Sequence, residues 1–129
     1  MNAARVLLAE DGSAMGRQLR GLLAEQFEVI GLVQDGASLV KAAESMLPDV
    51  VVTDIAMPEI DGLEAARRLR LQRPVLGVVF ITVHAEPQMV DQAMALGPCS
   101  YVLKSDAGDD LALAVQAALR GERFVSRSL

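Results

Sequence analysis

Five side chains in this sequence carry polar chemistry immediately after a short apolar run. Glu10 and Asp11 follow Val6–Ala9, Asp54 follows Val50–Thr53, Thr82 follows Val78–Ile81, and Lys104 follows Tyr101–Leu103. Three carboxylates, a hydroxyl and an ammonium are thus available. If the first and third runs are neighbouring strands, their axes lie about 4.8 Å apart. Two carboxylates about 5 Å apart at an effective dielectric near 20 repel by roughly 3 kcal/mol. Acids held together in this way have raised pKa values unless a cation joins them. A site of two or three carboxylates suits Mg²⁺, which keeps several waters and accepts a phosphate oxygen as a further ligand. The plainer reading is that Glu10 and Asp11 begin a loop and a helix; the third acid, Asp54, favours the metal site. Lysine is scarce, with only Lys41 and Lys104 against ten arginines. Lys41 falls in a helical stretch and is expected to face solvent. Lys104 can reach across a shallow pocket to an anionic oxygen, or simply end a strand in water.

These residues matter together only if the elements bring them to one place. Val6–Ala9, Val29–Val33, Val50–Thr53, Val78–Ile81 and Tyr101–Leu103 read as five strands. Most are apolar at every position rather than alternating, as expected for strands buried on both faces of a parallel sheet. Five stretches with helical periodicity separate or follow them. Met15, Leu19, Leu22 and Leu23 mark the first, with Ser13 as its expected cap; Leu39, Val40, Ala43, Met46 and Leu47 mark the second, ended by Pro48. Leu63, Ala66 and Leu69 mark the third, with Asp61 as N-cap and Glu64 three residues on, close to a capping box. Met89, Val90, Ala93 and Met94 mark the fourth, ended by Gly97-Pro98; Leu111, Ala114, Val115, Ala118 and Leu119 mark the fifth, with Gly121 after it. Alternating strands and helices give an α/β fold with a parallel sheet. In such sheets ligands bind beyond the carboxyl ends of the strands, which is where all five polar residues lie.

The composition bounds the rest. The 129 residues are enough for one domain, and 52% hydrophobic content is enough for a core. Twelve Lys plus Arg against seventeen Asp plus Glu give a net charge of −5, with the lone His84 neutral. An acidic chain lacks the basic footprint of a nucleic-acid-binding or membrane-surface domain. No apolar run reaches the roughly 20 residues of a membrane span. Cys99 is the only cysteine, so a disulfide framework within the chain is excluded and a free structural thiol is expected. The N-terminus shows no signal-peptide anatomy, and a reducing, cytoplasmic location is the expectation.

At this point the residues resemble a known family. Glu10-Asp11, the block Asp54-Ile55-Ala56-Met57-Pro58-Glu59-Ile60-Asp61-Gly62, Thr82, and Tyr101-Val102-Leu103-Lys104 are similar, in that order, to the receiver domains of two-component response regulators. The resemblance runs over residues 1–129. The stretch from Lys104 to Phe124 resembles the subfamily whose receivers precede a LuxR-type helix-turn-helix. The resemblance implies a flavodoxin-like (CheY-like) fold, a doubly wound five-stranded parallel sheet of order 2-1-3-4-5 with five helices. It implies that Asp54 is the phospho-acceptor for a histidine kinase or phosphotransfer protein. Asp11, Asp54 and the backbone carbonyl of Ala56 would bind Mg²⁺, with Glu10 acting mainly through a metal-bound water. Lys104 and Thr82 would grip the phosphoryl group, and Tyr101 would be the aromatic switch that follows Thr82. The implied output is transcriptional, through a DNA-binding domain outside these residues, and phosphorylation-linked homodimerisation is a family expectation.

Three departures from the family pattern stand out. Val83 is bulkier than the small residue many receivers carry there, and it is expected to narrow access to the phosphoryl group. Ser105 replaces the usual proline after the lysine, which puts a cis peptide there in doubt. Gly97-Pro98-Cys99-Ser100 departs from the usual small-residue turn. The plainer readings make His84 a solvated loop residue and Tyr101 a strand-core residue, bordering with Val102, Met94 and Ala95 an exposed apolar face. Other functions remain in view. An aspartate-nucleophile phosphatase would need an acid at position 56, which is Ala. A flavin carrier would need more rings than one Tyr and three Phe supply, and a less acidic first loop. A receiver-like interaction module independent of phosphorylation is the alternative that uses the same fold. The chain is not expected to be an enzyme.

Overall fold

The computed structural model describes residues 3–129. Six strands form one parallel sheet: β1 (Arg5–Ala9), β2 (Glu28–Val33), β3 (Val50–Asp54), β4 (Gly77–Thr82), β5 (Ser100–Leu103) and β6 (Phe124–Val125). The order is β2-β1-β3-β4-β5-β6, so β1 and β3 are neighbours and strand order reverses between them. Five helices connect or follow the strands: α1 (Ser13–Ala24), α2 (Gly36–Met46), α3 (Gly62–Gln72), α4 (Pro87–Met94) and α5 (Ala107–Leu119). No helix among the described residues is long and apolar enough to cross a membrane.

The unbroken apolar runs behave as expected for strands covered on both sides. Alternate residues of the central strands feed two cores. Leu7, Val51, Phe80 and Tyr101 face one side and pack with Leu39, Ala66, Leu69 and Ala93 of α2, α3 and α4. Val6, Leu8, Val52, Ile81 and Val102 face the other and pack with Leu19, Leu23, Leu111 and Val115 of α1 and α5. Each such aliphatic side chain contributes about 1.5–3 kcal/mol on full burial.

Three expectations need correction. The sheet has six strands, not five. The extra strand is only two residues long, too short for its Phe124-Val125 pair to stand out as a run; it forms because the Phe124 and Ser126 N–H groups donate to the carbonyls of Cys99 and Tyr101 along the β5 edge. Ser13 does not cap α1: Gly12 is the N-cap and Ser13 is the first helical residue. Val102 does not border an exposed face, because it is fully buried against α5. The other helix signals hold in part. Asp61 caps α3, its Oδ1 accepting from the Glu64 N–H at 2.8 Å. The capping box is not closed, since the Glu64 carboxylate turns outward to Arg67 and Arg68 at 2.6 and 2.8 Å. Helix α2 stops one residue before Leu47-Pro48, and Leu47 takes a left-handed conformation at φ 50°.

Two glycines let the loop between β3 and α3 close on the sheet. A Cβ on Gly62 would lie 2.0 Å from the Asp54 carbonyl oxygen, and one on Gly36 would lie 1.9 Å from that of Ile60. Both contacts are with backbone, which cannot swing aside as a side chain can. The Gly62 N–H donates to the Ile55 carbonyl at 2.8 Å, which ties the start of α3 to the end of β3.

Candidate functional site

Parallel register sets the site. Ala9 pairs with Thr53, Asp54 with Ile81, and Thr82 with Leu103. The next residue along each strand is therefore Glu10, Asp54, Thr82 or Lys104, all on one edge. One carboxylate oxygen from each of Glu10, Asp11 and Asp54 lies within 4.8 Å of the others. Glu10 and Asp54 are buried, while Asp11 is exposed at the mouth.

Lys104 reaches into this cluster. Its Nζ donates to Asp54 Oδ2 at 2.8 Å and sits 2.8 Å from Glu10 Oε1. The side chains are 14%, 7% and 2% exposed for Lys104, Asp54 and Glu10, so water screens these charges little. Burial pulls the Lys104 ammonium down, but its hydrogen bond to Asp54 and the close Glu10 carboxylate, together with the charges of both acids, outweigh burial and leave its pKa above the ordinary lysine value. The contact with Glu10 is close enough for charge attraction but is not aligned as a hydrogen bond, so Glu10 Oε1 is a buried oxygen without a donor. The other Glu10 oxygen accepts from the Gly12 N–H at 2.9 Å. The Ala56 N–H donates to Asp54 Oδ1 at 3.3 Å.

This donor set fits a divalent cation. Mg²⁺ binds oxygens at about 2.0–2.1 Å in octahedral geometry, so adjacent ligands lie about 3 Å apart. With one oxygen of each carboxylate within 4.8 Å of the others, the three are near enough for one ion to draw together. One ammonium against three acids leaves negative charge over, and the donorless Glu10 oxygen points to the same deficit.

A second group of contacts surrounds Thr82. It is fully buried, and its Oγ1 accepts from the His84 N–H at 3.2 Å. The His84 carbonyl accepts from the Tyr101 hydroxyl at 2.7 Å. Tyr101 is buried, and burial, reinforced by the Glu86 charge, pushes its hydroxyl pKa up to about 12. His84 is therefore not simply a solvated residue. Its ring is half-exposed, with Nδ1 3.5 Å from Glu86 Oε2, while its backbone joins Thr82 to Tyr101. Side-chain type could not reveal a role carried by the main chain. The same holds for the Gly12 and Ala56 amides; the one available signal was a small residue two positions after each acid. Val83 stands exposed beside Thr82 on the rim. Cys99 is buried, its Sγ donating to the Ala93 carbonyl at 3.4 Å, and burial raises its pKa. Among the described residues no peptide bond is cis, so Lys104-Ser105 is trans.

Comparison with known proteins bears on this arrangement. The family model described as "Response regulator receiver domain" matches residues 6–116. The chain belongs to this receiver family. The response regulator GacA of Pseudomonas aeruginosa is 32% identical over 124 residues, covering 95% of this chain and 58% of GacA. A LuxR-family two-component response regulator from Aurantimonas sp. SI85-9A1 superposes with a TM-score of 0.91 at 26% identity, covering 98% of this chain and 92% of that one. The isolated receiver domain of RcsB from Salmonella enterica serovar Typhimurium, solved in the presence of phosphomimetic BeF3⁻, gives a TM-score of 0.88 at 25% identity, with 98% and 96% covered. The receiver's structural neighbours thus include LuxR-family regulators, as the sequence resemblance implied. The chain spans about three fifths of the length of the curated relatives GacA and PdtaR, 58% and 60%.

Proposed function

We propose that residues 1–129 form one receiver domain that takes a phosphoryl group on Asp54 from a histidine kinase or phosphotransfer protein. The carrying observation is the position of Lys104 Nζ, 2.8 Å from both Asp54 Oδ2 and Glu10 Oε1, at a strand edge that also holds Asp11 and Thr82. Phosphoryl transfer asks for placement and charge neutralisation more than covalent machinery. Asp54 supplies the nucleophilic oxygen. The bond from phosphorus to the donor imidazole breaks as the bond to the Asp54 carboxylate forms, leaving an acyl phosphate. The Ala56 N–H holds one Asp54 oxygen in place. Lys104 is placed to follow the transferred oxygens, and the Thr82 hydroxyl, which accepts from His84, keeps its own proton free to donate to a phosphoryl oxygen.

Glu10, Asp11, Asp54 and the Ala56 carbonyl are the residues that would hold Mg²⁺. When bound, the ion offsets the acids' mutual repulsion and the charge of the incoming phosphate. A phosphoryl group adds about −1.5 to −2 charge and strong acceptor oxygens, giving Thr82 and Lys104 a partner in one state that the other lacks. Tyr101, bonded to the loop that Thr82 anchors, is the residue that carries the change outward. The output is transcriptional by this reading, with cytoplasmic action and phosphorylation-linked dimerisation as accompanying proposals.

Incubation with Mg²⁺ and acetyl phosphate tests this reading. One phosphoryl adduct is expected on the wild-type chain, with none on Asp54→Asn and a strongly reduced yield on Asp11→Asn. An adduct that persists unchanged in Asp54→Asn would overturn the assignment.

A further inference from the structure

The last residues of the chain are fastened to two acids near the site. The Ser126 hydroxyl donates to Asp106 Oδ2 and lies 3.3 Å from Asp110 Oδ2. The Arg127 N–H and Nε donate to the two Asp110 oxygens at 3.0 Å each. Ser128 donates to Asp106 through its N–H at 3.2 Å and its Oγ at 2.9 Å. Asp110 is buried, and Arg127 is the cation paired with it. Two carboxylates thus fasten the residues that follow β6, which itself pairs with β5.

These attachments begin where the phosphoryl contacts end. From Thr82, hydrogen bonds run through the His84 N–H, the His84 carbonyl and the Tyr101 hydroxyl; the Tyr101 carbonyl then accepts from the Ser126 N–H at 2.8 Å. From Lys104, a single 3-10 turn (Lys104–Asp106) leads to Asp106, which accepts from Ser126. The two side chains placed to grip a phosphoryl group therefore lead by separate routes to one residue.

We propose that Phe124–Ser128 is a latch whose docking is linked to the state of the Asp54 pocket, so that phosphorylation tightens its hold on the β5 edge. The proposal rests on the reading of Asp54 as phospho-acceptor. The direction follows from the donors. Thr82 Oγ1 accepts from His84 while its proton stays free, so donation to a phosphoryl oxygen strengthens the run of hydrogen bonds rather than breaking it. Lys104 held by the same group fixes the turn that presents Asp106. Linkage makes the effect reciprocal: a docked latch raises the pocket's affinity by the factor by which a filled pocket favours docking.

Amide exchange at Ser126, Arg127 and Ser128, measured with and without Mg²⁺ plus beryllofluoride, tests the link. Saturation is expected to slow exchange at these three amides by about fivefold or more, the lower end of ordinary coupling between sites. Ser126→Ala is expected to speed their exchange and to weaken beryllofluoride binding by a matching factor, with exchange in β3 and β4 unchanged. Ser128→Ala, which removes only the Oγ bond to Asp106, serves should the first variant fail to fold. Unchanged tail exchange in the saturated protein, or a loosened tail with undiminished beryllofluoride affinity, overturns the latch and leaves the Asp54 reading standing. Beryllofluoride that binds Asp54→Asn as well as wild type overturns the Asp54 reading, and the latch falls with it.

Discussion

Replacing Lys104 with Met tests how the charges of the pocket balance. The substitution keeps most of the side-chain volume and removes the ammonium that lies 2.8 Å from both Glu10 and Asp54. Carboxylate oxygens within 4.8 Å of each other are then left facing one another with little solvent between them. At an effective dielectric near 20 that repulsion is about 3.5 kcal/mol. Removing one partner of a buried ion pair typically costs about 3–5 kcal/mol. Urea unfolding in metal-free buffer at neutral pH should therefore show Lys104→Met less stable than wild type by about 3 kcal/mol. Mg²⁺ should narrow the gap, because the uncompensated acids bind it more tightly than the wild-type cluster does. In an Asp54→Asn background the same substitution should cost at least about 1.5 kcal/mol less, since one of the opposed charges is gone. A loss below about 1 kcal/mol, equal in both backgrounds and indifferent to Mg²⁺, would refute the electrostatic reasoning.

Three further outcomes follow from local features. The Tyr101 hydroxyl, pushed up to about 12 by burial and the Glu86 charge, favours the folded state below its unfolded value near 10, and that contribution is lost as pH rises through the folded value. The unfolding free energy of wild type should fall by about 2–3 kcal/mol more than that of Tyr101→Phe between pH 10 and 12, as read by denaturant titration. Gly62→Ala and Gly36→Ala, whose new Cβ atoms would meet backbone carbonyls at 2.0 and 1.9 Å, should each cost about 2 kcal/mol or more. Acetyl phosphate labelling should suffer more in Gly62→Ala, where the displaced carbonyl belongs to Asp54. Leu47→Gly should raise stability by about 0.5–1 kcal/mol in thermal unfolding, because Leu47 holds φ at 50° on a largely exposed site.

Much of the fold was legible because a buried parallel strand is apolar at every position. That signal placed β1, β3, β4 and β5 and, through the alternation, put Glu10, Asp54, Thr82 and Lys104 on one edge. It was silent for β6, whose Phe124–Val125 pair is defined by its hydrogen bonds to β5 and not by hydrophobicity. Val102, expected to border an exposed face, is instead buried, because burial on the α5 side depends on which helix covers which face. The burial of Asp110 against Arg127 appears only when the tail folds back. Ser13 reads as a cap because its type suits one, yet Gly12 takes the cap position, where its N–H holds Glu10. Within the site, the side chains could be named from the sequence. The main-chain donors and acceptors at Gly12, Ala56 and His84 could not, because every residue type carries them.

Chemical trapping of the modified residue bears most directly on the central claim. After exposure to acetyl phosphate and Mg²⁺, borohydride reduces an aspartyl phosphate to homoserine, which peptide mass spectrometry locates. Homoserine at position 54, absent when Mg²⁺ is chelated and absent from Asp54→Asn, is the predicted result. Homoserine at another position, or a phosphorylated chain with Asp54 intact, would contradict it.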